Sequence, residues 1–267
     1  MTMLIHTALL RQPLFASAAI ALLMPLSMSA SAGMMDNNLS KDPDAVLSVG
    51  ANVQYVMTPY DADDQVNILP GVFYDNNKIY ARGNTAGAYI INDGVNQLDA
   101  FAQFTGTGFD PDDANGALKG LDERKGTAVA GLSYLYRSPI GGLRAQVATD
   151  VLGRSDGNIA RLTYLAKYST DKLTVYPSVG VEWHNEDFNN YYYGISEKEA
   201  AKTGLAAYTP SSSVNPYVSI SGMYDFNDKW AGFASQTVDY LSNEQYDSPM
   251  VDSRIDSRTT LGLLYKF

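Results

Sequence analysis

The chain has 267 residues, with 29 acidic against 19 basic side chains, a formal net charge of -10, and no cysteine. The acidic balance argues against nucleic acid or lipopolysaccharide phosphate as a broad partner, and the lack of cysteine excludes disulfides and a lipid-modified N-terminal cysteine. Beyond residue 32 no apolar run is long enough for a transmembrane helix, whereas 19 tyrosines suit a barrel with aromatic girdles.

Residues 1–32 have the features of a secretory signal peptide. A weakly basic start with Arg11 precedes an apolar stretch over 14–28, and small residues form a cleavage site that ends at Ala32. A retained membrane anchor would need about 20 apolar residues, but this stretch is shorter and is interrupted by Pro25. We therefore expect export through the inner membrane, with cleavage after Ala32.

The rest of the chain shows no repeat, no low-complexity linker and no shift in composition that would divide it. We expect a short periplasmic segment over residues 33–44 and a single outer-membrane barrel domain over residues 45–267.

Segments in which apolar and polar residues alternate recur along this domain, as expected for strands with one face in lipid and one in a wet lumen. The alternation is cleanest in four segments, 45–56, 159–168, 172–184 and 216–226. Further segments are 66–74, 79–92, 97–105, 126–137, 143–152, 230–241 and the terminal 258–267. Most are close to the roughly ten residues that a tilted strand needs to cross a bilayer.

These segments number eleven, whereas bacterial single-chain barrels have an even number of strands. The segment 79–92 contains Gly83 and Gly87 and can be two short strands. The sequence therefore predicts an all-β, transmembrane antiparallel β-barrel with twelve strands, and ten strands as the alternative.

Long polar connections and tight turns should lie at opposite ends of such a barrel, with the long ones outside. Counted back from a periplasmic C-terminus, the long connections over 106–125, 185–215 and 242–257 all lie at the outer end. The acidic connection over 58–65 is placed at the other end by the same count, which conflicts with this arrangement.

The last strand has Thr259, Leu261, Leu263, Tyr265 and Phe267 on one face. A final strand with alternating apolar residues and a terminal aromatic is typical of outer-membrane barrels. We interpret Tyr265 and Phe267 as the barrel-assembly signal.

Catalytic chemistry has little support in the sequence. His184 is the only histidine after residue 32, and it is expected to face the lumen beside Glu182. A hydrolase would need this histidine next to a nucleophile such as Ser178, but a histidine bonded to a carboxylate is the simpler interpretation. The sequence therefore predicts no catalytic residue and no enzyme.

A metal site and a cofactor are also not predicted. Asp110, Asp112 and Asp113 could offer oxygen ligands to calcium, but no glutamate follows at EF-hand distance. Nucleotide fingerprints and zinc-ligand clusters are absent from the sequence. Ten charged residues are expected in the lumen, where they could line a pore or pair and close it, namely Asp99, Arg144, Asp150, Arg161, Lys167, Lys172, Glu182, Asp225, Asp239 and Arg258.

The most specific motif lies in residues 190–208. It contains a tyrosine-rich run with Tyr192, Tyr193 and Gly194, then Ser196 before a short alanine-rich helix that ends at Gly204, and finally Tyr208. Ser196 and Glu199 have the spacing of a capping box, and Gly204 is a helix stop. We interpret Tyr192, Tyr193, Gly194, Ser196 and Tyr208 as part of either a lid over the barrel mouth or an element that docks a partner.

This motif resembles the MipA/OmpV family of outer-membrane proteins. The resemblance continues at 118–122, at 177–183, at 247–251 and at the final Tyr265-Lys266-Phe267, in order over roughly residues 45–267. Ile195 and Met250 stand where the family usually has valine and isoleucine, which are mild departures.

The resemblance implies a non-enzymatic scaffold. The best-known family member is described as linking a lytic transglycosylase, which degrades murein, to a penicillin-binding protein that synthesises it. Other members are described as porin-like or adhesive. A diffusion channel or an adhesin is therefore the alternative, and membrane lipids are the expected surroundings in either case.

Overall fold

The computed structural model describes residues 45–105 and 108–267. The predicted signal peptide and periplasmic segment lie outside the described residues. The strands are β1 Val46–Met57, β2 Gln65–Asp75, β3 Ile79–Arg82, β4 Thr85–Asn92, β5 Asn96–Thr105, β6 Thr127–Ser138, β7 Gly141–Asp150, β8 Asn158–Leu165, β9 Tyr168–Ser169, β10 Leu173–His184, β11 Ser213–Asp225, β12 Trp230–Tyr240 and β13 Ile255–Lys266.

All strands belong to one antiparallel sheet that closes on itself. β1 pairs with β2 on one edge and with β13 on the other, from Ser48 opposite Lys266 to Met57 opposite Ser257. Closure matters because it pairs the backbone groups of the first and last strands with each other, and the hydrocarbon of a bilayer offers no other partner.

The wall contains twelve strands, as the sequence predicts. β11 covers the whole of β10 on one edge, so β8 and the two-residue β9 share the other edge and form one interrupted strand. The segment predicted as 79–92 is the hairpin β3–β4, and Gly83 in its turn has a positive φ of 61°. The alternative of ten strands is excluded.

The hairpin also corrects the predicted topology of the first strands. With β3 and β4 counted separately, the connection from β1 to β2 lies at the same end as the other long connections. The predicted conflict at residues 58–65 therefore arose from one missed strand. The connections at the opposite end are short, such as the two residues between β6 and β7.

Along the strands, side chains alternate between the lumen and the outer surface. On β1, Val49 and Val53 are exposed on the outer face, whereas Ser48 is buried in the lumen. This is the alternation of a barrel with an apolar outside. Among the described residues, no helix combines the length and hydropathy needed to cross a membrane.

The first residues of β2, next to the connection from β1, are paired with a neighbouring strand on only one side. β2 pairs with β3 only at Phe73, Tyr74 and Asp75, because β3 has four residues and then turns. Gly83 N donates one further bond to Val72 O, at 3.0 Å. On this side, residues 65–71 have no partner strand among the residues that the structure describes.

The long connections fold together at one end of the barrel. They contain a 3₁₀ helix, Gly116–Gly120, and the helices α1 Glu186–Tyr193, α2 Glu197–Thr203 and α3 Asn243–Tyr246. Bridges link Tyr60 to Val251 and Ala62 to Ala114, which ties the first connection to the others. We call the connections over 58–64, 108–126, 185–212 and 241–254 the cap.

Candidate functional site: the cap and the lumen

The cap is built on the predicted capping box of α2. Ser196 Oγ accepts a hydrogen bond from Glu199 N at 3.3 Å, and Glu199 Oε2 accepts one from Ser196 N at 3.0 Å. Gly204 ends the helix with φ 76°, a left-handed conformation in which glycine costs little. A seven-residue helix is too short to be stable alone, so this bonding and tertiary contacts must hold it.

Glu199 connects α2 to the connection between β5 and β6. Its Oε1 accepts hydrogen bonds from Arg124 Nη2 at 2.6 Å and from Asp122 N at 3.1 Å. Arg124 also donates to Gly194 O at 3.2 Å. The side chains of Arg124 and Glu199 are only 10% and 6% exposed, so this is a buried ion pair.

The pKa of Glu199 follows from these contacts. Burial alone would raise it, but the hydrogen bonds from the Ser196 and Asp122 backbones and from Arg124 outweigh burial and lower the pKa to about 2. Glu199 is therefore ionised at neutral pH and holds two connections together as an anion.

The tyrosine-rich motif forms the apolar centre of the cap. Tyr192, Tyr193 and Ile195 are 4%, 9% and 2% exposed and pack in one cluster with Tyr60 and Phe109. Burial raises the pKa of Tyr192 to about 12 and that of Tyr193 well above its usual range. Both phenols therefore stay neutral, as an apolar cluster requires.

Backbone contacts fix the remaining motif residues. Ile195 and Tyr208 exchange two hydrogen bonds of 2.9 Å, so the chain closes a loop around α2. A side chain at Gly194 would place its Cβ 2.4 Å from Asn190 O, and only glycine fits there. The structure thus brings Tyr192, Tyr193 and Gly194 into the centre of the cap, leaves Tyr208 half-buried and exposes Ser196.

His184 lies below the cap, in a polar network. Its Nε2 is 2.8 Å from Glu182 Oε1, and its ring stacks on Phe188 with centroids 4.1 Å apart. Gln245 reaches both its Nδ1, at 3.4 Å, and Asn189 Oδ1, at 2.9 Å. The network therefore joins a lumen carboxylate to α1 and α3.

Ser178 is not part of this network. It precedes His184 by six residues on β10, roughly 20 Å along an extended strand, and its Oγ donates to Ser219 O at 3.4 Å. The geometry therefore does not bring the two residues together as a nucleophile and base.

The acidic connection after β5 has a local structure of its own. Asp110 Oδ1 accepts from Asp112 N at 2.9 Å, which makes a turn, and burial together with Asp110, Asp63 and Asp112 raises the pKa of Asp113. Within the described ranges, no three side chains of histidine, aspartate or glutamate lie close enough to hold a metal ion.

Three of the ten charged residues predicted for the lumen form ion pairs among the described residues. Arg161, predicted for the lumen, pairs with Glu182, also predicted for the lumen, and Lys266 Nζ is 3.0 Å from Asp225 Oδ1. Lys172, predicted for the lumen, lies instead in the exposed turn before β10. The reason is the hydrogen bond from Thr170 N to Leu173 O at 2.8 Å, which closes a turn around Asp171 and Lys172.

Sequence reasoning missed a further ion pair in the lumen, between Arg82 and Asp75, with 2.7 Å between Nη2 and Oδ2. Arg82 lies on β3, inside the segment that could be one strand or two. The alternation of apolar and polar residues on either side of Gly83 was the available signal. It shows that Arg82 faces the lumen only if a turn at Gly83 is already known.

The same wall encloses a polar cavity of about 180 Å³ in the lumen. A smaller cavity of about 60 Å³ lies under the cap and is lined by Tyr60, Tyr192 and Tyr193 among others. The barrel interior is therefore narrow and polar, and the cap stands at one of its ends.

Comparisons with known proteins agree with this architecture. The family described as MltA-interacting protein MipA matches residues 49–267. MltA-interacting protein of Escherichia coli K12 is 37% identical over 222 residues, which cover 82% of this chain and 90% of that protein. Outer membrane protein OmpV of Vibrio cholerae is 27% identical over 216 residues, covering 81% of this chain and 77% of the relative.

Among solved structures, a NanC porin aligns with 83% of this chain and 100% of its own chain, at 9% identity and a TM-score of 0.43. The curated relatives carry names of interacting or outer-membrane proteins rather than of enzymes. The family match over residues 49–267 and the 37% identity over most of both chains show that this outer-membrane β-barrel belongs to the MltA-interacting protein MipA family.

Proposed function

We propose that this protein is a non-enzymatic scaffold of the outer membrane that holds a lytic transglycosylase and links it to a penicillin-binding murein synthase. The observation that carries the proposal is the relative named MltA-interacting protein, which matches over 90% of its length. Ser213 lies directly opposite His184 on β11, but its Oγ donates to Asn189 Oδ1 and not to His184, so the pair is not arranged as a nucleophile and base.

The partner surface should be the end of the barrel opposite the cap, because murein and its enzymes lie in the periplasm. That end consists of short turns. Ile140 in the turn between β6 and β7 is 80% exposed, and Phe226 after β11 is 52% exposed. Exposed apolar side chains of this kind are suited to a protein contact.

The cap has a different role in this proposal, that of a lid over the outer mouth of the barrel. Tyr192, Tyr193 and Ile195 are buried within it, so they cannot contact a partner unless the cap opens. Glu197 and Lys198 on α2 remain exposed but belong to the outer side. A lid therefore accounts for the motif better than a docking element does.

The test is to immobilise the detergent-solubilised barrel and identify the periplasmic proteins it retains by mass spectrometry, against an unrelated barrel of similar charge. Enrichment of a lytic transglycosylase and a penicillin-binding protein is expected. Ile140→Asp should reduce retention, whereas Glu197→Lys on the cap should not. No enrichment over the unrelated barrel would refute the scaffold.

A diffusion channel is the second candidate, favoured by the polar cavity of about 180 Å³ inside the lumen. Planar bilayer recordings test it. A channel closed by the cap should conduct weakly, and removal of residues 186–211 should raise its conductance. Absence of current from both forms would exclude a channel.

A further inference from the structure

The cavity in the lumen is lined by residues of the strands β3 to β8 and carries an unusual set of charges. Three arginines line it, Arg82, Arg144 and Arg161, against one carboxylate, Asp99. Its volume of about 180 Å³ is several times the roughly 30 Å³ share of one water molecule. A small organic ligand therefore has room in it.

Two of these arginines are already compensated. Arg82 pairs with Asp75, and Arg161 pairs with Glu182, and neither of those carboxylate residues lines the cavity. Arg144 makes no hydrogen bond and no ion pair with any residue that the structure describes. Its Nε is buried without a partner.

Asp99, which has the opposite charge, also has an atom without a hydrogen-bond partner. It is 2% exposed, and its Oδ1 accepts from Tyr80 OH at 2.8 Å and from Gln97 Nε2 at 3.4 Å. Its Oδ2 is buried and accepts no hydrogen bond from the described residues. Buried polar atoms without a partner are rare and costly, and here two of opposite type belong to residues that line one cavity, which points to a shared ligand.

We propose that this cavity binds a small hydroxylated carboxylate, of the sugar-acid class. The ligand carboxylate accepts hydrogen bonds from the Arg144 guanidinium, whose planar fork matches it. A ligand hydroxyl donates to Asp99 Oδ2. Arg144 is the lining arginine without an ion pair among the described residues, and this free guanidinium favours an anion over a neutral sugar. The site does not depend on whether the barrel holds a murein enzyme or conducts.

The experiment titrates the protein, purified from outer membranes in detergent, with D-galacturonate by isothermal calorimetry. D-galactose is the matched neutral sugar, since it differs only in carrying a hydroxymethyl group in place of the carboxylate. Saturable binding of D-galacturonate is expected, with none of D-galactose. No saturable binding of D-galacturonate, or equal binding of both sugars, would overturn the proposal.

Arg144→Gln removes the charge while keeping a similar length, and it should weaken D-galacturonate binding about tenfold or more, because a charge-assisted bond to the carboxylate is lost. Arg154→Gln, an equal charge change at an exposed residue of the connection after β7, should leave affinity within about twofold. Unchanged affinity in Arg144→Gln would also overturn the proposal.

Folding of each variant is checked by its heat-dependent shift on gel electrophoresis. Should Arg144→Gln not fold, Arg144→Lys keeps the charge but lacks Nε and the bidentate fork. A severalfold loss of affinity is expected for it, and an affinity equal to that of the native protein would count against the assigned role of Arg144.

Discussion

At the scale of single residues, we expect the buried Arg124–Glu199 pair to stabilise the folded cap. Glu199→Gln removes the anion but leaves the guanidinium buried, which typically costs about 3 kcal/mol or more. The backbone N–H of Asp122 donates a hydrogen bond to Glu199 Oε1 at 3.1 Å. Its amide proton should then exchange with solvent about a hundredfold faster. Hydrogen exchange resolved by mass spectrometry measures this.

Glu197→Gln is the matched control for that substitution. Glu197 lies in the same first turn of α2 and carries the same charge, but it is exposed. Exchange at Asp122 should stay close to the native rate. An equal acceleration in both variants would mean that the net charge of α2, rather than the buried pair, holds the cap.

The same carboxylate makes the cap sensitive to acid. The pKa of Glu199 falls from 4.5 to about 2 on folding, so its contribution is complete above pH 4.5 and is lost as the pH falls toward 2. A shift of this size corresponds to about 3 kcal/mol. The near-UV circular dichroism of the buried tyrosines should decline in this pH window.

Glu199→Gln should lack the part of the decline that is due to this residue. Other carboxylates titrate in both proteins, so the difference between the two curves isolates Glu199. If the two curves coincide from pH 7 to pH 2, protonation of Glu199 does not open the cap.

Local sequence predicted the residues of the capping box but not the ion pair. Ser196 and Glu199 are three residues apart, and a helix start fixes their contact. Arg124 lies 75 residues before Glu199, and only the closure of the barrel brings their connections together. The unpartnered atoms of Arg144 and Asp99 could not be predicted from the sequence either, because their surroundings come from strands that are distant along the chain.

At the scale of elements, the segment around Ile195 should carry much of the stability of the cap. Ile195 is 2% exposed and lies between α1 and α2, in the cluster with Tyr60 and Phe109. Ile195→Ala should destabilise the cap by about 2 to 5 kcal/mol, because the cavity it leaves adds to the lost burial. Faster cleavage within residues 185–212 by a protease measures the change.

Ile140→Ala provides the comparison, since Ile140 is 80% exposed in a turn at the other end. Its effect should stay within about 0.5 kcal/mol. If Ile195→Ala is cleaved at the native rate, the tyrosine cluster does not hold the cap together.

Residues 65–71 of β2, which have no partner strand on one side, should differ in hydrogen exchange from the rest of the barrel wall. Gly83 N donates a hydrogen bond to Val72 O, so the backbone N–H and C=O groups of Val72 point toward the β3 side of β2. The backbone groups of alternate residues, including Pro70, Ile68 and Val66, point to that same edge. Pro70 has no N–H to offer and suits an edge. The amides of Val66 and Ile68 should exchange much faster than that of Ile220 on β11.

Ile220 is a suitable reference because β11 has neighbours on both edges. Exchange of the two β2 amides as slow as that of Ile220 would mean that this edge is covered. The sequence hid this feature because β3 is only four residues long, too short for a period of two to be recognised. Longer strands such as β10 and β11 were predicted nearly to their ends.

At the scale of the whole molecule, the strand count and the direction of the chain determine which end faces the cell. Alternation predicted the barrel because each strand repeats the same two-faced pattern, and twelve strands place every long connection at one end. The orientation then decides the proposed function, since a periplasmic enzyme can reach only the short turns.

Single cysteines test the orientation directly, because the native chain contains none. Glu197→Cys on α2 and Asp228→Cys in the turn before β12 are both at exposed positions, at opposite ends of the barrel. In intact cells, a membrane-impermeant maleimide should label the cysteine at 197 and leave the one at 228 unlabelled. After the outer membrane is permeabilised, both should react, which verifies that each thiol is accessible. The reverse pattern would place the cap in the periplasm, where its exposed α2 face would become the surface to search for a murein enzyme.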